Sequence, residues 1–135
     1  MKRIAKYMHV GEMMTRQEAV LAWAVSTFGE VAKNRDERAA RLVEEAVEVA
    51  QAEGVPAEVL ERIVRRVYSR PVGDAAQEIG GLAITLDALA ENIGVCVNDA
   101  ALNELARVLA LPKDHFAKKH AEKVADGVAN LTPTI

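Results

Sequence analysis

Three glutamates, Glu44, Glu45 and Glu48, fall within five residues in the stretch RLVEEAVEVAQAEG. A second acidic pair, Asp74 and Glu78, follows in PVGDAAQEIGGLAITLDALAENIG. On a helix, at about 100° per residue, Glu45 and Glu48 stand about 60° apart and Glu44 lies about 100° to the other side of Glu45, so two of the three can aim at one point. Asp74 and Glu78, four apart, share a face. Asp87, nine residues beyond Glu78, looks the opposite way and is set aside. Clustered carboxylates disfavour one another's ionisation unless a cation lies between them. Magnesium is such a cation, held by a few carboxylates together with waters and substrate phosphates. The competing reading is a solvated helix face, because Glu-Glu-x-x-Glu is ordinary in a chain that is 27% charged.

The elements that must position these acids are all helical. Thr15-Arg16-Gln17-Glu18 reads as a capping box that opens a first helix running to about Ala32, with Ala19, Leu21, Ala22, Val25 and Phe28 facing inward. Asn34 caps a second helix that ends at Gly54, with Leu42, Ala46, Val49 and Ala50 as its apolar stripe. Pro56 suits the first turn of a third, where Val59, Leu60, Ile63, Val64 and Val67 repeat every three to four residues. Arg70-Pro71-Val72-Gly73 breaks the chain before a fourth helix closed by Gly94. That helix carries Gly80 and Gly81 in its interior, each costing about 1 kcal/mol relative to alanine. Asn98 is expected to cap a fifth, and Pro112 to restart a short basic helix, KDHFAKKHAEKVA, ahead of a loose tail. With no strand-like alternation and short connections, the expected fold is all-α: an antiparallel bundle of about five helices over residues 15–127. Residues 1–14 form an N-terminal extension and 128–135 a C-terminal tail.

Length and composition narrow the function classes. The 135 residues fit one domain. Half are hydrophobic and only 4% aromatic, so alanine-rich faces leave room for a partner chain to complete the core. A net charge of −3 without a long basic run argues against nucleic acid as partner. The single cysteine, Cys96, fits a reducing cytoplasm, and no stretch approaches the roughly 20 apolar residues of a membrane helix, so a cytoplasmic protein with no membrane partner is expected. His9, His115 and Cys96 have no partners at catalytic spacing.

From about Glu18 to Gly127 the chain resembles the MazG-like family of all-α nucleoside triphosphate pyrophosphohydrolases, in particular its small single-domain members. AWAVSTFGE, RLVEEAVEVAQAEG, VRRVYSRPVGDAAQEIGGLAITLDALAENIG, NELARV and FAKKHAEKVADG carry the resemblance, in that order. The family pattern is Glu-x-x-Glu on one helix and Glu-x-x-Asp on a later one, four acids that bind magnesium. Glu45 and Glu48 match the first pair, Glu44 a frequent extra glutamate, and Glu78 the first acid of the second pair. The fourth place falls on Gly81, which cannot ligate; Asp74, one turn before Glu78, or a water is left to fill it. The segment between the two motifs is longer than the family's by the extent of the third helix.

The resemblance implies hydrolysis of (deoxy)nucleoside triphosphates between the α and β phosphates, with Mg²⁺ as cofactor and Mn²⁺ able to substitute. Glu45 or Glu48 would serve as base, and Lys118, Lys119 and Lys123 would meet the remaining phosphate charge. Trp23 is a further candidate, as a stacking surface for the base. A homodimer or homotetramer is implied, with subunits completing the bundle. Two alternatives stand beside this reading: a catalytically weak nucleotide-binding or helical interaction protein, and a phosphoribosyl-ATP pyrophosphohydrolase-like enzyme.

Overall fold

The computed structural model describes residues 14–130. All but the last residue of the predicted N-terminal extension, and the end of the predicted tail, lie outside them. Among the described residues there are six α-helices and no strand: α1 (Arg16–Phe28), α2 (Arg35–Ala52), α3 (Ala57–Tyr68), α4 (Ala75–Ile93), α5 (Val97–Ala110) and α6 (Lys113–Ala125).

The helix ends follow from local chemistry. At α1 the capping box is complete: Glu18 N–H donates to Thr15 Oγ1 at 3.2 Å, and Thr15 N–H donates to Glu18 Oε2 at 2.9 Å. α1 stops at Phe28, short of the expected Ala32. Gly29 takes φ 78° and turns the chain into a 3₁₀ turn, Glu30–Lys33, that buries Ala32. Asn34 Oδ1 accepts from the N–H groups of Asp36 and Glu37 and so starts α2. α4 ends on Gly94 in the left-handed conformation, φ 74° and ψ 30°, with Val95 N–H returning to the Ala90 carbonyl at 2.9 Å. That tight exit lets α5 begin at Val97, so Asn98 lies inside its first turn instead of capping it.

Contacts divide the chain into two compact units, Met1–Glu44 with Asn103–Ile135, and Glu45–Leu102. In the first, α1 packs against the 3₁₀ turn and α6. Trp23, Phe28 and Phe116 form an edge-to-face cluster with ring centroids 5.4 to 6.0 Å apart, extended by His115. Ala19, Ala24, Ala32, Leu105 and Ala129 are buried there, as is Glu37. The chain beyond α6 is held where a loose tail is expected: Arg41 donates to the Val128 carbonyl, and His120 Nε2 lies 3.2 Å from Asn130 Oδ1.

The second unit has little interior of its own. Ala90 is its one buried residue among those described, and the stripes that periodicity assigns to a core are open. Val49 of α2 and Ile63, Val64 and Val67 of α3 are 41% to 54% exposed, and Ile79 of α4 is 63% exposed. Periodicity identifies which side chains share a face; it does not say what covers that face. The antiparallel bundle and its completion by a second chain therefore remain expectations. No single described helix is long and apolar enough to cross a membrane.

Candidate functional site

Glu44 is the acid whose surroundings are most fully built. Its Oε2 accepts from Arg41 Nη1 at 2.6 Å, one turn earlier on α2, and from Lys123 Nζ at 3.0 Å on α6. All three side chains are at least two-thirds shielded, and Arg41 also reaches the Val128 carbonyl. Charge-assisted hydrogen bonds of this kind are about twice as strong as neutral ones. They fasten α6 and the segment after it to the first half of α2. The extra glutamate of the acidic motif and one of the expected phosphate lysines thus satisfy each other. The Arg41–Glu44 spacing of three could have signalled half of this pairing; the reach from α6 could not be read from sequence.

The remaining acids belong to the second unit. Glu45 and Glu48 are exposed on α2. Asp74 is the N-cap of α4: its Oδ1 accepts from Gln77 N–H at 3.0 Å, satisfying a free donor of the first turn. Glu78 folds back over Gly73, its Oε1 so close to that α-carbon that a Cβ there would collide with it. Sequence reasoning missed this contact with Gly73, which a side chain there would displace by turning the exposed carboxylate aside. Both acids of the second motif thus sit at the N-terminus of α4, where the helix dipole favours negative charge without a cation.

Gly80 and Gly81 are expected to allow a close approach to the α4 backbone. Within the described chain nothing makes one: a Cβ at either position would meet no atom within 4 Å. Thr85, two turns from Glu78, turns its hydroxyl onto the Gly81 and Leu82 carbonyls at 3.0 and 2.9 Å.

Among the described residues, no three of the His, Cys, Asp and Glu side chains are placed to hold one metal ion. Glu44 is paired to two cations, and within the second unit, with Asp74 spent on a helix cap, the described acids do not fit a magnesium site. Lys118 and Lys119 are exposed on α6. Trp23, half-buried in the aromatic cluster, packs on Phe28 and Phe116 as an interior residue does. An open groove of about 450 Å³ runs along α1, lined by Leu21, Ala22, Val25 and Ser26 with Glu18 and Lys33; it shares no residue with the predicted site. Comparison with models of known protein families, with curated proteins and with solved structures finds no match to this chain.

Proposed function

We propose that the protein is a helical nucleotide pyrophosphohydrolase that removes particular (deoxy)nucleoside triphosphates from the pool, releasing a monophosphate and pyrophosphate. The observation that carries this reading is the ordered run of motifs from Glu18 to Gly127, with Glu45, Glu48 and Glu78 at its acidic positions. Their exposure to solvent is compatible with it. In the reaction, water attacks the α phosphorus, its bond to the bridging oxygen breaks, and pyrophosphate leaves. The water's proton needs an acceptor, and Glu45 and Glu48 are the carboxylates for that task. Divalent cation binding, for which the described residues assemble no site, is assigned to an assembly of two or four copies.

A second reading is favoured by specific observations: Gly81 stands in the fourth acidic place, and Glu44 is engaged with Arg41 and Lys123. It makes the chain a helical interaction protein, or a nucleotide binder without turnover. Incubating the purified protein with a panel of NTPs and dNTPs, plus Mg²⁺ or Mn²⁺, separates the two. Pyrophosphate release that is lost in Glu45→Gln and Glu48→Gln supports the enzyme. No turnover on any nucleotide with either metal supports the second reading, and turnover untouched by both substitutions removes the site assignment.

A further inference from the structure

Four polar contacts around Glu44 close into a ring. Glu44 Oε2 accepts from Arg41 Nη1 at 2.6 Å and from Lys123 Nζ at 3.0 Å. The Lys123 carbonyl accepts from Val128 N–H at 2.9 Å, and the Val128 carbonyl in turn accepts from Arg41 Nη2. The turn that brings Val128 back to Lys123 is the glycine ending of α6, where Gly127 takes φ 75° and its N–H donates to the Val124 carbonyl at 3.1 Å. Ala129, the next residue after Val128, is buried. Lys123 thus holds the segment beyond α6 twice: directly by its carbonyl, and by its ammonium group through Glu44 and Arg41.

We infer that Glu44, which the resemblance groups with metal-binding acids, is in this chain the acid of a metal-free clasp. Arg41 and Lys123 supply the positive charge there, and the clasp keeps Val128 and Ala129 seated. The surrounding charges agree with this role. Glu37, which is buried, and Arg38 precede Arg41 on α2 by about one turn, so removal of Glu44 leaves Arg38, Arg41 and Lys123 against Glu37 alone. A clasp acid and a ligand acid respond oppositely to neutralisation. A ligand acid without its metal is one of several carboxylates that repel, and Glu48 follows Glu44 at the spacing of four where like charges destabilise a helix; neutralising such an acid raises stability. Neutralising a clasp acid lowers it, because two partly shielded cations are left beside each other with no anion between them.

The clasp uses neither Glu45, Glu48 nor Glu78 and no nucleotide, so it stands or falls apart from the pyrophosphate assay. The test combines thermal melts with amide hydrogen exchange of the full chain in EDTA at low ionic strength. Glu44→Gln is expected to lower the melting temperature and to speed exchange of the Val128 amide about tenfold. Adding Lys123→Met to Glu44→Gln should recover part of that loss, since it removes the repulsion. Wild-type Val128 exchange should stay unchanged when Mg²⁺ replaces EDTA. Should Glu44→Gln not fold, Lys123→Met, which keeps the Arg41–Glu44 pair, carries the same exchange readout and is also expected to speed Val128. A melting temperature raised by Glu44→Gln, Val128 exchange untouched by either substitution, or a double variant less stable than Glu44→Gln would each overturn the clasp. Mg²⁺ that speeds Val128 exchange in the wild type but not in Glu44→Gln would overturn it in favour of a metal ligand.

Discussion

Replacing Gly80 and Gly81 by alanine tests whether α4 stands open as described. Both lie inside the helix, neither has a positive φ, and a Cβ at either meets nothing within 4 Å. Glycine in a helix interior costs about 1 kcal/mol relative to alanine, partly through the greater freedom of the unfolded chain. The double variant should therefore gain about 2 kcal/mol. At an unfolding entropy of about 2.1 cal/mol/K per residue, a chain of 135 residues gains about 7 °C in melting temperature. Calorimetry at low micromolar concentration, below the expected self-association, is the assay. An unchanged or lowered melting temperature there would refute the reasoning, because it would mean that the space above these glycines is filled in the monomer. A gain at low concentration that shrinks at high concentration would place a second copy over them.

Other outcomes follow from the first unit. Lys123→Met should lower stability by about 1 kcal/mol, because it removes one of the two cations on a partly shielded carboxylate, and thermal melts will report it. If the enzyme is active, a changed KM without that loss of stability would return Lys123 to a role on phosphate. Trp23→Ala should cost about 2 to 3 kcal/mol by opening the aromatic cluster, and the indole fluorescence of the wild type should not respond to added nucleotide. The Arg107 guanidinium, hydrogen-bonded to Glu104 at 2.9 and 2.5 Å, holds that carboxyl below the usual carboxylate range. The stabilisation from this pair is present above the ordinary glutamate pKa and is lost as pH falls through the depressed value. An NMR titration of Glu104 should move upward in Arg107→Gln, and an unmoved curve would remove the pair as its cause.

The helix order was legible because its punctuation is chemical. Thr15 with Glu18, Asn34, Pro56, Gly94 and Pro112 each act through a backbone preference or a cap that operates locally. Gly29 was visible as a weak point, but its positive φ, which converts the end of the first helix into a 3₁₀ turn, depends on how Ala32 is buried. The acidic motifs were equally legible as helical spacings. What each carboxylate touches was not, because Lys123 reaches Glu44 across 79 positions of sequence, and Glu78 folds back over Gly73. The amphipathic stripe of α3 could be located from sequence, whereas its exposure could not.

The pairing of Arg41 with the carbonyl of Val128 bears on the timing of biosynthesis. The first unit is made of two pieces separated by the whole of the second, Met1–Glu44 and Asn103–Ile135. The second unit is continuous in sequence and is made in full before the later piece of the first. At synthesis rates of about 5 to 20 residues per second, α1 and the start of α2 wait several seconds for α6, and Glu44 meets Lys123, and Arg41 the Val128 carbonyl, only at the end. During that interval the second unit, with the exposed stripe of α3, is already made in full.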